Sequence, residues 1–247
     1  MKIAVCVCTW NRPKLLGRMI RCFEMQDYEN RVLLVLDDAG QYPAMEGDRW
    51  KLVSHRFRWP TLGEKRNAAI SLLGPDVDAY SLIDDDDLVL PHHLSALVVA
   101  LQEAPWCQSR QVLVPRGKQF QRVATSNGEN PNNIGYPGGW GFRREAFERL
   151  GGYAAISNGE DQELAARALK LLGPSADTIT DKYPTPGYVY DLQSKSWHLS
   201  AMGPPGDEEG YRSLGKQHIE PVESLNVSWP EDYCKWPISD TVLPRRW

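Results

Sequence analysis

Apolar positions in this chain follow two alternating periods. Ile3 to Cys8 is an unbroken apolar run rich in β-formers, which predicts a strand covered on both faces. Thr9-Trp10-Asn11-Arg12-Pro13 interrupts it, with Asn11 placed to cap the next helix and Pro13 in its first turn. Leu15, Leu16, Met19, Ile20 and Phe23 then recur at helical spacing. Val32 to Leu36 predicts a second buried strand, ending in Asp37-Asp38-Ala39-Gly40. A strand, a helix and a strand in this order imply a right-handed crossover, hence two parallel strands with the helix on one face. The chain opens as an α/β fold of the nucleotide-binding type.

The same pattern continues. Leu52 to His55 predicts a third strand, and Gly63 begins a helix whose inner face carries Ala69, Leu72 and Leu73. Ala79 to Ile83 is a strand that ends abruptly in Asp84-Asp85-Asp86-Asp87, and Pro91 to Glu103 is the helix leaving those acids. Gln111 to Val114 predicts a further strand. Gly128 to Gly141 is dominated by Gly, Asn and Pro, with Tyr136 and Trp140 among them, and reads as a surface loop able to bind or close over a ligand. Arg143 to Leu150 predicts a short helix stopped by Gly151-Gly152; Gly159 to Leu172 predicts another, with Leu164, Ala165, Ala168, Leu169 and Leu172 on one stripe. Periodicity fades after Lys195. The expected organisation is one domain over residues 1–200 and an irregular extension over 201–247, packed on it.

Composition narrows the class. With 42% hydrophobic and 24% charged residues in 247, the chain can bury one good core. A net charge of −4 and a pI near 5.8 give no global basic field, which disfavours a nucleic-acid partner. No apolar run is long enough to span a membrane, and no signal-type segment precedes the first strand. The expected location is cytoplasmic. Five cysteines without a CxxC pair read as small hydrophobes in a reducing compartment.

In open parallel sheets, ligands bind beyond the carboxyl ends of the strands. Three polar clusters fall at such ends: Thr9 to Arg12, Asp37-Asp38, and Asp84 to Asp87. Together they delimit one crevice. No glycine-rich phosphate loop follows the first strand, so phosphates there need another source of positive charge. A divalent cation on the aspartate cluster meets that need, with Arg12, Lys65 and Arg66 as cationic helpers. Taken alone, the aspartates read as a solvated acidic turn, and Glu160-Asp161 as an acid pair complementing a helix N-terminus.

In order along residues 3 to 200, these motifs resemble the inverting glycosyltransferases of family 2, which have the GT-A fold. Thr9-Trp10-Asn11-Arg12 is similar to the family's first nucleotide-contacting loop, and Asp37-Asp38 to its second. Gly63-Glu64-Lys65-Arg66-Asn67 resembles its donor-site segment, and Asp84-Asp85-Asp86 its DXD motif. Gly138 to Tyr153, with Trp140 and Arg143, resembles its acceptor side; Gly159-Glu160-Asp161 resembles the ED motif that carries the base. Trp10 stands where the family often has Tyr, and Ala39-Gly40 where it often has Gly-Ser.

The resemblance implies a Rossmann-like, mixed but mainly parallel sheet flanked by helices. It implies a metal-dependent transfer from a nucleotide diphosphate sugar, with a UDP-sugar as donor because the family mostly uses uridine nucleotides, and Mn²⁺ or Mg²⁺ as cofactor. Asp161 is then the base, Asp86 the main metal ligand with His198 as a further one, and Asp84 lies near the ribose. Thr9, Asn11, Arg12, Asp37, Asp38, Lys65, Arg66, Asn67 and Asp85 join Asp84 on the donor side; Trp140, Arg143 and Glu160 serve the acceptor. That acceptor is a glycan, a protein or, less favoured, a modified nucleic-acid base. A nucleotidyltransferase lacks support, since Thr9 to Pro13 is not its glycine-rich loop, and a non-catalytic binding module would need neither Asp86 nor Asp161.

Overall fold

The apolar run after Lys2 becomes the middle of a sheet because residues on both of its faces find a core. The computed structural model describes residues 1–47, 49–116, 119–124, 137–190 and 221–225. In chain order these form β1 (Ile3–Thr9), α1 (Pro13–Glu24), β2 (Arg31–Asp37), β3 (Met45–Gly47), β4 (Trp50–Ser54), α2 (Leu62–Ser71), β5 (Ala79–Leu82), β6 (Leu88–Val89), α3 (His93–Glu103), β7 (Trp106–Gln108), β8 (Gln111–Arg116) and β9 (Gln119–Ala124). There follow a 3-10 turn (Pro137–Gly139), β10 (Gly141–Arg143), α4 (Arg144–Leu150), α5 (Glu160–Leu172), β11 (Ala176–Asp177), β12 (Tyr188–Val189) and β13 (Pro221–Leu225).

The main sheet has the order β11-β7-β10-β5-β1-β2-β4-β3. β1 pairs in parallel with β2, from Ile3 opposite Arg31 to Thr9 opposite Asp37, and with β5, from Ile3 opposite Ala79 to Cys6 opposite Leu82. β4 extends β2 in parallel, while β10 runs antiparallel to β5 and β7. The sheet is therefore mixed and mainly parallel, and Thr9, Asp37, Ser54 and Leu82 all end at one edge. That edge positions the site.

Alternation along β1 divides the interior in two. Ile3, Val5 and Val7 face α1 and α3, with Leu16, Met19, Phe23, Leu94 and Leu97 in that core; Ala4 and Cys6 face the core built on α2, α4 and α5, with Ala69, Phe147, Leu164 and Ala165. The α3 N-terminus gets its hydrogen bond from outside the helix. Gln26 Oε1 accepts from the Leu94 amide at 3.0 Å, and Gln26 Nε2 donates to the Leu90 carbonyl at 2.8 Å.

Several expectations change. Arg12, not Asn11, is the N-cap of α1, without a side-chain bond to the helix's amides, and Asn11 sits at φ 53, in the left-handed region that Asn tolerates better than most residues. Leu72 is 49% exposed because α2 ends one residue earlier. The strand read at Gln111 to Val114 is β8 of a second sheet, ordered β13-β9-β8-β12-β6. That sheet was invisible in the pattern because β6 and β12 have two residues each and form only through their partners, β12 pairing with both β6 and β8. The extension expected to be irregular contributes β13, antiparallel to β9.

Leu97 is fully buried on α3 and Leu72 is half-exposed. Urea unfolding should show Leu97→Ala losing about 2–5 kcal/mol and Leu72→Ala within about 0.5 kcal/mol of wild type.

Candidate active site

A cleft of about 600 Å³ opens at the carboxyl edge of the main sheet, between the turn after β1, the acids after β5, the start of α2 and the start of α5. The first two meet because β1 and β5 are neighbours. Thr9 Oγ1 donates to Asp85 at 2.6 Å, and Arg12 Nη1 donates to Asp85 at 2.8 Å and to Asp86 at 3.2 Å. From α1, Arg18 donates to the Asp86 carbonyl at 2.5 Å. Burial pushes the Asp85 carboxyl up to about 6, against the pull of Arg12, with Asp86 adding to the rise.

α2 supplies the other cations. Thr61 caps it, accepting from the Glu64 amide at 3.2 Å while donating to the Glu64 carboxylate at 2.7 Å. This fixes the first turn so that Lys65 and Arg66 point inward, each nearly fully buried. Lys65 Nζ lies 2.6 Å from both the Thr9 carbonyl and Asp38. Arg66 turns the other way, 3.0 Å from Asp84 and 3.3 Å from Glu160. A buried charge is stable only when paired, so these contacts account for a helix whose buried side carries two cations.

Asp84, Asp86 and Asp87 each offer one carboxylate oxygen, and the three lie within 4.8 Å of one another. The Tyr188 hydroxyl, carried by β12, donates to Asp87. An oxygen-only set of this kind suits a hard divalent cation. Opposite, Gly159 at φ 74 makes the left-handed turn that starts α5 and puts Glu160 and Asp161 at the cleft. Burial raises the Asp161 carboxyl above the usual carboxylate range, with Arg66 opposing.

Of the residues singled out in the sequence, Thr9, Asn11, Arg12, Asp38, Lys65, Arg66, Asp84, Asp85, Asp86, Glu160 and Asp161 line this one cleft. Four others do not. Asp37 is fully buried and holds its own turn, accepting from the Ala39 amide at 3.0 Å and the Ser54 hydroxyl at 2.7 Å. Asn67 is spent on the main chain of Tyr153, donating to its carbonyl and accepting from its amide at 2.8 Å each. Trp140 is 2% exposed, packed in the core beside Phe142, with no face for a sugar. Arg143 stands opposite Ala79, at the far end of β5, and donates to the Leu101 and Gln102 carbonyls. His198 and Tyr136 lie outside the described residues.

The sequence reading missed Arg58 and Trp59, which line the cleft, and the use of Trp10, whose ring lies 4.5 Å below the Arg58 guanidinium. Both follow β4. The strand-end rule that selected the other three clusters, applied to β4 as well, selects this one.

The model of glycosyl transferase family 2 matches residues 4–151, more than half of the chain. The chain belongs to that family. No curated protein matches it. Among solved structures, S. aureus TarS 1-349 in complex with UDP-GlcNAc superposes with a TM-score of 0.61 at 14% identity, over 81% of this chain and 60% of that one. The mannosyltransferase PcManGT from Pyrobaculum calidifontis, in complex with GDP-Man and Mn²⁺, gives 0.56 at 19%, over 80% and 59%. At such identity the likeness establishes the GT-A fold. This family-2 chain spans about three fifths of the length of those proteins. No helix among its described residues is long and apolar enough to cross a membrane.

Arg66 is the shared partner of Asp84 and the buried Glu160. Arg66→Met should therefore cost about 3–5 kcal/mol in urea unfolding at pH 7, because it leaves Glu160 uncompensated. Adding Glu160→Gln to that variant should recover part of the loss.

Proposed function

We propose that this protein is a metal-dependent inverting glycosyltransferase that moves a sugar from a nucleotide diphosphate sugar, a UDP-sugar first among them, to an acceptor hydroxyl. The observation that carries this reading is the charge balance of the cleft. Asp38, Asp84, Asp85, Asp86, Glu160 and Asp161 line it, against Arg12, Arg58, Lys65 and Arg66. Lys65 and Arg66 are held by acids of the protein, so a diphosphate brought into this cleft adds charge that the side chains do not offset. A divalent cation on Asp84, Asp86 and Asp87 would supply that positive charge and, as a Lewis acid, stabilise the departing diphosphate.

The remaining chemistry falls to the protein's own groups. Asp161 is the candidate base: it lines the cleft from α5, across from the aspartates of β5. Its carboxylate takes the proton of the acceptor hydroxyl as that oxygen bonds to the anomeric carbon and the bond from that carbon to the phosphate oxygen breaks. One base on the face opposite the leaving group gives inversion in a single step. Glu160, held by Arg66, fixes the start of α5 and so the position of its neighbour. Trp10 and Asp38 flank the part of the cleft suited to a base and ribose, and the nucleotides seen with TarS and PcManGT make uridine and guanosine the two to test first.

A second reading of the acceptor, a modified, hydroxyl-bearing base in nucleic acid, is favoured by one feature. In His55-Arg56-Phe57-Arg58-Trp59 cationic and aromatic side chains alternate; Arg58 and Trp59 line the cleft, and Phe57 beside them is 59% exposed. Phe57→Ala should weaken binding of a labelled oligothymidylate, read by anisotropy, if this reading holds, and leave it unchanged if it does not.

Two measurements test the main proposal. Melting of the purified protein with UDP, GDP, CDP or dTDP should rise for one nucleotide only when Mn²⁺ is present, and Asp86→Ala should abolish that rise. Asp161→Asn should keep nucleotide binding and lose about 10²–10⁴-fold in turnover. The sign of the Asp161 shift sets the pH profile. A base whose pKa is raised is protonated, and idle, over a wider acid range, so the wild-type rate should fall on acidification at a higher pH than an ordinary carboxylate would set.

A further inference from the structure

Asp85 is the middle member of the aspartate triplet, and both of its oxygens are engaged. Oδ2 accepts from the Thr9 hydroxyl and Oδ1 from the Arg12 guanidinium, the first and last residues of the turn after β1. Asp85 is 3% exposed, and the oxygens grouped for a cation belong to Asp84, Asp86 and Asp87 instead. The turn needs such a hold. Asn11 takes a left-handed conformation inside it, Trp10 is half exposed, and Arg12, the N-cap of α1, makes no side-chain bond to the helix's own amides. A left-handed residue other than glycine persists where its surroundings over-determine it.

We propose that Asp85 is the positioning residue of the donor side: it clamps the Thr9–Arg12 turn against the acid loop and so fixes Trp10 and Arg12 in the cleft, without itself touching cation or nucleotide. The clamp also links two parts of the site, because the guanidinium held by Asp85 reaches Asp86 at 3.2 Å. Any drift of the turn moves a positive charge away from the carboxylate that faces the cation. This inference rests on the reading of the cleft as a nucleotide-sugar site.

The test is titration of UDP and GDP in the presence of Mn²⁺, and of Mn²⁺ alone, followed by melting of the full chain carrying Asp85→Asn, Thr9→Val, Thr9→Ser or the Asp85→Asn/Thr9→Val pair. The clamp predicts that Asp85→Asn and Thr9→Val each weaken nucleotide binding about tenfold or more, the scale of a lost hydrogen bond to a charged group. It predicts that Thr9→Ser binds as wild type, that the double variant is no weaker than Asp85→Asn, and that the shift with Mn²⁺ alone survives throughout. Loss of the Mn²⁺ shift in Asp85→Asn overturns the proposal by making Asp85 a metal ligand. Lower melting temperatures with unchanged nucleotide affinity overturn it by making the contact merely structural. Thr9→Val keeps every charge, so it carries the test if Asp85→Asn does not fold. A wild-type shift that both variants preserve overturns the clamp alone; no nucleotide shift in wild type overturns the donor-site reading and the clamp with it.

Discussion

Carboxylates gathered at the ends of parallel strands repel one another, and the molecule is arranged around the cations that cross to meet them. Each comes from a different direction: Arg12 from the turn after β1, Lys65 and Arg66 from the first turn of α2, and Arg58 from the loop after β4. Because every such pair spans two elements, the charges also define the geometry. α2 is oriented by Lys65 on Asp38 and by Arg66 on Asp84, and α5 by Arg66 on Glu160. Ion pairs this deep are not a source of stability in themselves. Their effect is to make one arrangement of the loops far better than its neighbours.

Much of the fold was readable because its central strands are buried on both faces and its helices are amphipathic. β1, β2 and β5, and helices α1, α3 and α5, announce themselves by period and by the polar residues that end them. That Asp161 and Asp84 to Asp86 line one cleft was legible only through the family resemblance, since an acid run at a strand end or an acid pair at a helix start, taken alone, reads as a solvated feature. What was hidden has physical reasons. β6, β7, β10 and β12 are too short to show a period and exist only through their partners. Asn67 follows Lys65 and Arg66, which line the cleft, while Trp140 belongs to a segment that packs in the core, and sequence position cannot tell a side chain that faces the cleft from one that faces the core. Asp37 and Asp38 show this most clearly: one holds a turn and the other meets Lys65.

The solved relatives share 14–19% identity with this chain, yet TM-scores stay near 0.6. Such retention is expected when the constraint is topological rather than a matter of particular core side chains. Cores tolerate extensive exchange if volume and pattern hold. A crevice at the carboxyl edge of a parallel sheet keeps its place whatever fills the interior.

The loop from Tyr153 to Gly159, which leads into α5, is gripped mainly through its backbone. Asn67 takes both main-chain groups of Tyr153, the Gly63 amide donates to the Ile156 carbonyl at 3.1 Å, and Arg167 donates to the Gly152 carbonyl at 2.9 Å. Gly63 packs so closely on the Ala154 carbonyl that no side chain fits there. Meanwhile Ala155, Ile156 and Asn158 are exposed to solvent, while the Ser157 hydroxyl accepts from the Leu62 amide at 3.3 Å. A segment held by its carbonyls and amides can exchange those outward residues without shifting Asp161. The loop is thus a surface on which evolution, or an engineer building a library, can vary the outward side chains while the start of α5 stays in place.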